Sequence, residues 1–183
     1  MNNKYIFQSE RLGFRTWQDS DLADLWSINS DAEVMEFFPG ITTSDDTWNF
    51  IQRMQLEYAK NGFCYYAVEL LDTRDLIGFI GIARQDYEAD FTPCVDIGWR
   101  LGRSFWGHGY ASEAALACVS YAFDTLGILE LVSVAPSINL ASVRVMEKIG
   151  MSKVKEFSHP LLKDNPELQN CVLFKLENKN TMK

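Results

Sequence analysis

Hydrophobic and polar positions change period several times along this chain, and each change marks an element. Residues 5–15 alternate as a strand does. Asp19 or Ser20 can then cap a short helix that buries Leu22, Leu25, Trp26 and Ile28. The aromatic turn Val34-Met35-Glu36-Phe37-Phe38-Pro39-Gly40 stops helical structure at Pro39. Thr43, with Asp46 three residues on, approximates a capping box with Asp in place of Glu or Gln. The helix behind it carries Trp48, Ile51, Met54 (or Gln55) and Tyr58, and ends near Gly62.

The period then shortens to two. Residues 63–71 and 76–84 read as strands joined by the polar connection Asp72-Thr73-Arg74-Asp75, and a looser segment, 85–93, comes next. The stretch from Val95 to Phe123 organises the rest. It begins as a strand with Val95, Ile97, Trp99 and Leu101 on one face. It passes through a turn containing Gly102, Gly107 and Gly109, then becomes a helix. Ala111, Ala115, Cys118, Val119, Ala122, Phe123 and Leu126 form that helix's broad apolar side, with Gly127 as its C-cap. Residues 129–134 read as a strand closed by Pro136. A helix beginning at Asn139 or Ser142 runs through Ile149, with Gly150 beyond it. Strands over 151–157 and 171–176 flank a loop containing Pro160 and Pro166. Helices and strands in this order predict a mixed α/β sheet with helices on both faces.

A strand feeding a glycine-rich turn that opens a helix leaves free N–H groups at the positive end of the helix dipole, which suits phosphate. Gly107 and Gly109 let a ligand approach the backbone, and Ala111 keeps the first turn small. The same glycines also serve a loop that only turns a corner. Neither GxGxxG nor GxxxxGK[ST] is present, so dinucleotide and nucleoside-triphosphate loops are unsupported.

At 183 residues the chain is most simply one domain, 1–177, with a polar tail, 178–183, expected to fray. A net charge of −8 argues against a general nucleic-acid surface. Cys64, Cys94, Cys118 and Cys171 are scattered without a CxxC pair, so buried free thiols are expected, with no metal site. No leader pattern is visible, and no apolar run approaches the roughly 20 residues of a membrane span. These features predict a cytoplasmic protein without membrane partners. An exposed strand edge is compatible with a homodimer.

The glycine turn, Trp106-Gly107-His108-Gly109-Tyr110-Ala111, resembles the acetyl-CoA pyrophosphate loop of the GNAT N-acetyltransferase superfamily, (Gln/Arg)-x-x-Gly-x-(Gly/Ala). Trp106 departs from Gln/Arg, and WGxGYAxEA resembles the ribosomal-protein (Rim-type) branch. The run from Ile138 to Met151 resembles the family's second acyl-CoA motif, NxxSxxVMEKxGF. Phe157–Leu162 and Val172–Leu176 resemble the C-terminal hairpin of a Rim-type subgroup. The resemblance covers nearly the whole chain. It implies a GNAT-like central mixed, mostly antiparallel sheet, with acetyl-CoA as co-substrate and an amine acceptor, either a small molecule or a protein N-terminus.

It also implies site residues. Residues 107–111 would seat the pyrophosphate, and the backbone of Trp99, Arg100 and Leu101, where two central strands splay, would bind the pantetheine arm and polarise the thioester oxygen. Asn139 would bond the pantetheine region, or simply cap its helix. Ser142 would protonate the departing thiolate, or be a small polar helix residue. Asp96 would take the amine proton, usually through water, or be a structural acceptor; an unperturbed Asp near 3.9 is a weak base unless burial raises it. Glu36 and Glu113 are other base candidates, the latter more plausibly structural. The tyrosine acid of many relatives is absent after the second motif helix, and Tyr110 and Tyr121 are weaker substitutes. His108 suits pyrophosphate better than base chemistry, and His159 either faces substrate or caps a turn. Phe37, Phe38, Trp48, Phe91 and Phe105 form either an acceptor groove or core.

Three classes of protein remain. The first is an N-acetyltransferase working by direct attack in a ternary complex. The second is an acyl-CoA-binding sensor or partner module. The third, a nucleotide-binding protein, lacks any signature.

Overall fold

The structure is a computed structural model that describes residues 4–179. Its elements are β1 (Phe7–Gln8), β2 (Leu12–Arg15), α1 (Leu22–Asn29), α2 (Ser44–Asn61), β3 (Tyr65–Leu70), β4 (Leu76–Gln85) and β5 (Cys94–Leu101). They continue with α3 (Tyr110–Ser120), β6 (Glu130–Pro136), α4 (Leu140–Lys148), β7 (Ser152–Ser158), α5 (Pro166–Gln169) and β8 (Asn170–Glu177). The strands form one eight-stranded sheet in the order β1-β2-β3-β4-β5-β6-β8-β7. Every neighbouring pair is antiparallel except β5–β6, which is parallel.

The two faces of the sheet carry different helices. Tyr65, Phe79, Asp96, Gly98 and Arg100 share one face by register. There α2 lays Phe50 5.1 Å from the Phe79 ring, and α1 brings Asn29 to Arg100. The other face carries Tyr66, Ile80 and Ile97, and α3 covers it with Ala114, Ala115 and Cys118. The single core runs through the sheet, so strand residues bury side chains on both faces. The edges of the sheet are β1 and β7.

Local chemistry sets most boundaries. Thr43 accepts from the Asp46 N–H, Asp46 accepts from the Thr43 N–H, and α2 ends at Gly62 with φ 78°. Asn139 caps α4, and Gly150, at φ 86°, comes after its last turn. Three expectations change. Residues 5–15 form a hairpin, not one strand, because Ser9 turns the chain: its Oγ accepts from the Leu12 N–H and donates to distant Glu113. At α1, Asp21 accepts from the Gln18 N–H after a 3-10 turn, and Trp26 faces outward at 44% exposure. The organising helix does not stay α-helical to Leu126. Residues 121–125 form a π turn, with the Leu126 N–H donating to the Tyr121 carbonyl. That turn keeps Tyr121 on the core, stacked 4.3 Å from Phe7.

Asn178, in the tail expected to fray, is buried and donates to the Phe123 and Ile128 carbonyls; residues 180–183 lie outside the described residues. Cys64, Cys118 and Cys171 are buried thiols, whereas Cys94 is half-buried. Among the described residues no helix is long and apolar enough to cross a membrane, and no cluster suits a metal ion.

Candidate active site

The site is built where β5 leaves β6. Strand β5 pairs with β4 along its whole length, from Gly78↔Leu101 to Gln85↔Cys94, yet it meets β6 only at Asp96↔Val132. Beyond that bridge the strands diverge, and the side of β5 that faced β6 has no ladder partner. Two side chains close part of the gap. Ser133 Oγ donates to the Ile97 carbonyl at 2.9 Å, and the Trp106 indole donates to the Leu101 carbonyl at 2.9 Å. Because backbone groups alternate along a strand, the amides of Trp99 and Leu101 also point into this gap. Arg100 does not join them: its backbone faces Phe79 on β4, so its amide lies outside the gap.

The glycine turn lies beyond that end of β5. Gly107 and Gly109 hold φ of 79° and 81°, and Gly109 precedes the first turn of α3. A Cβ on Gly107 would meet nothing within 4 Å, so no protein atom packs against the turn there. Left-handed glycines leading into a helix start turn successive N–H groups outward, a cradle for an anion. Trp106 is half-exposed and anchors the turn to β5 through its indole. The His108 and Tyr110 rings stack at 5.5 Å, and the Arg11 guanidinium lies 4.5 Å from the Tyr110 ring while donating to the His108 carbonyl. Ala111 sits in the first turn, partly buried.

Glu113 is the clamp beneath this turn. Its carboxylate accepts from Ser9 Oγ, the Arg11 N–H and Arg11 Nε at 2.7–2.8 Å. Burial pushes its carboxyl up, but the bonds from Ser9 and Arg11 outweigh that and hold it below the usual range. These bonds occupy Glu113 structurally and remove it from the candidate bases. Glu36 is exposed on the turn between α1 and α2 and bonds neither Asp96 nor Tyr65.

Asp96 is the β5 residue of the bridge to Val132, where the splay begins. Burial pushes its carboxyl up to about 6, against hydrogen bonds from Tyr65 and its surroundings. Tyr65 Oη lies 2.8 Å from both carboxylate oxygens, and Gln85 Nε2 donates to that hydroxyl at 3.1 Å. Burial and the Asp96 charge beside it keep the Tyr65 phenol protonated, well above its ordinary range. Sequence reading missed Tyr65, because its place depends on register. Tyr65 pairs Gly81 and Gly81 pairs Gly98, so the ring lies across two glycines; a Cβ on Gly98 would stand 3.2 Å from it.

The other candidates fall on both sides of the site. Asn139 Oδ1 accepts from the Ser142 N–H at 3.0 Å as a helix cap, which leaves its amide nitrogen without a protein partner among the described residues. Ser142, in the first turn of α4, is partly exposed. His159 caps a 3-10 turn by accepting from the Leu161 N–H, and burial lowers its pKa. Its ring and Phe91 both pack against Tyr87 and Phe157. Of the five expected groove aromatics, Phe38 lies 4.0 Å from the Arg100 guanidinium and Phe91 lies 5.5 Å from Lys155 Nζ.

The parted sheet and the glycine turn that opens α3 thus lie at the same end of β5. The comparisons name the class. The acetyltransferase (GNAT) domain model matches residues 11–152, so the chain belongs to the GNAT acetyltransferase family and is an acyltransferase. The uncharacterized N-acetyltransferase YnaD of Bacillus subtilis is 30% identical over 158 residues, spanning 86% of this chain and 88% of YnaD. A GNAT-family acetyltransferase from Bacillus anthracis superposes with a TM-score of 0.80 at 27% identity, covering 93% of this chain and 97% of that one. RimL, a ribosomal L7/L12 alpha-N-protein acetyltransferase solved with coenzyme A, shares the fold at TM-score 0.77 and 17% identity, covering 94% and 97%.

Proposed function

We propose that this chain transfers the acetyl group of acetyl-CoA to a primary amine by direct attack within a ternary complex. The observation that carries this reading is the alignment of three features along β5: the glycine cradle past its end, unpaired amides at Trp99 and Leu101, and Asp96 at the bridge. The residues fit the co-substrate. The turn from Gly107 to Ala111 would hold the pyrophosphate on backbone N–H groups, and Asn139 would donate its spare amide to the pantetheine arm. When bound, acetyl-CoA supplies an acetyl group already activated as a thioester.

The chain's own groups then handle protons and polarity. The Trp99 and Leu101 amides are fixed donors that favour a carbonyl gaining negative charge. Asp96, its pKa raised by burial to about 6, is a better base than a free aspartate. Tyr65 fixes its orientation, and Asp96 would draw the amine proton through water. Ser142 would return a proton to the departing thiolate. The acceptor is a small-molecule amine or a protein N-terminus. The Rim-type placement is supported by the Trp106-to-Ala115 run and, in fold only, by RimL.

Calorimetric titration with acetyl-CoA, on wild type and on Gly109→Glu, tests this. Micromolar binding is expected in wild type and lost in the variant, whose carboxylate would meet the pyrophosphate; thiol release with an amine panel then shows turnover. Absence of binding by the wild type sinks the reading.

A further inference from the structure

Arg100 is a cation without a carboxylate. Its side chain projects from β5 on the Asp96 face, into the angle between the sheet and the α1–α2 connection. Nη1 donates to Asn29 Oδ1 at 2.7 Å, Nε is shut from solvent with no partner, and Nη2 has no protein partner among the described residues. Phe38 lies 4.0 Å from the guanidinium and Phe79 5.3 Å. Burial draws its pKa down to about 10, against a smaller upward pull from the Tyr65 phenol. Arg15, a buried guanidinium, is bonded instead to both Asp21 and Glu69. Leaving a half-buried guanidinium unpaired costs free energy. In a chain of net charge −8, with 25 acidic residues available, that cost is not forced by composition.

The surroundings place this cation at one end of a continuous wall. From Asp96 the wall runs to Tyr65, whose hydroxyl bonds it, and then to Phe79, 5.3 Å from the Tyr65 ring. It ends at Arg100 and Phe38. Gly98, midway, contributes no side chain. Asp96 and Arg100 are four residues apart on the same strand face, about 13 Å between Cα atoms. An acid that takes a proton and a cation that lacks an anion thus flank the splay of β5.

We propose that Arg100 receives a carboxylate of the acceptor, so that the substrate is a small amino acid-like zwitterion. Its amine faces Asp96 and its carboxylate reaches Nη2 of Arg100, while Tyr65 and Phe79 pack against the atoms between. A dipeptide spans such a separation directly, whereas a free α-amino acid, whose amine and carboxylate share one carbon, spans it only with the water through which Asp96 draws its proton. This rests on the acetyltransferase reading above. A charge-assisted bond to a guanidinium in a half-buried, aromatic-walled site is about twice as strong as a neutral one, enough to discriminate an acid from its amide.

The test uses the CoA-loaded protein. CoA is titrated first, and failure there removes the acetyltransferase reading itself. N-acetyl-L-phenylalanine, N-acetylglycylglycine and their C-terminal amides are then titrated, and acetylation rates are measured for the corresponding free amines. At least tenfold preference for acid over amide is expected in one pair, falling to within twofold in Arg100→Gln. Arg100→Lys keeps the charge and changes the donor geometry, so its preference is expected to fall between the two. CoA binding without an acid preference in any pair removes only the carboxylate seat. A preference that survives in Arg100→Gln overturns it too, as does an unchanged preference in Arg100→Lys should the glutamine variant fail to fold.

Discussion

Tyr65 reaches across β4 to set its hydroxyl 2.8 Å from both oxygens of Asp96, so one phenolic proton is shared over the carboxylate. The bond favours the ionised acid, while burial favours the neutral one and wins, leaving the pKa near 6.

That balance predicts a pH profile. A base must be deprotonated, so kcat/KM is expected to rise with pH through about 6 and then level. Removing the donor in Tyr65→Phe takes away a contribution that lowers the pKa, and the rising limb moves to higher pH, by about one unit for a lost charge-assisted bond of ~1.5 kcal/mol. Asp96→Asn abolishes the limb and lowers kcat while acetyl-CoA affinity holds. Stability runs oppositely: a carboxyl raised by folding contributes stability fully present below the unfolded value near 4 and lost as pH rises through 6. Thermal unfolding between pH 4 and 8 checks the sign. A limb that stays in place in Tyr65→Phe shows that the phenol does not tune Asp96.

Gly107 predicts a separation of fold from binding. Its φ of 79° costs an L-residue about 1–2 kcal/mol, and a Cβ there meets no protein atom. Gly107→Ala is therefore expected to lower the melting temperature only slightly. Its methyl group would project into the proposed pyrophosphate cradle and weaken acetyl-CoA binding tenfold or more in calorimetry. Unchanged affinity would place the cofactor elsewhere.

Glu113 predicts a coupling over a hundred residues of sequence. Glu113→Ala unties Ser9 and Arg11 from α3, at a cost of about 2 kcal/mol for bonds to a partly buried charge. Its carboxyl is depressed in the folded state, so this stabilisation is present above the unfolded value and lost as pH falls below about 4. The variant should therefore melt below wild type at pH 7 and approach it near pH 3. Acetyl-CoA affinity should also fall, because Arg11 releases the His108 carbonyl. Equal melting at pH 7 would show that the clamp contributes nothing.

What the sequence disclosed was local. The Thr43–Asp46 box, the Asn139 cap and the glycine turn are each settled within a few residues, and all were legible. The β1–β2 hairpin was not, because the residue that holds its turn, Glu113, lies on α3. Tyr65 was invisible for the same reason: its place over Gly81 and Gly98 needs the register of three strands. Arg100 was placed by its backbone, yet strand alternation turned that backbone toward β4 and left its amide outside the gap. Nor does periodicity report a π turn, since one extra residue preserves the apolar composition while rotating the residues beyond it.

The Trp106 indole, bonded to the Leu101 carbonyl, ties the glycine turn to the end of β5, so the two keep a fixed spacing while that bond holds. Such a spacing behaves as a ruler. One mark is the proposed cradle for the diphosphate; the other is the pair of amides proposed to receive the thioester oxygen. Only a donor whose arm spans both marks is aligned at its reacting end. A short acetyl thioester without the nucleotide would touch one mark and lose the alignment the other provides.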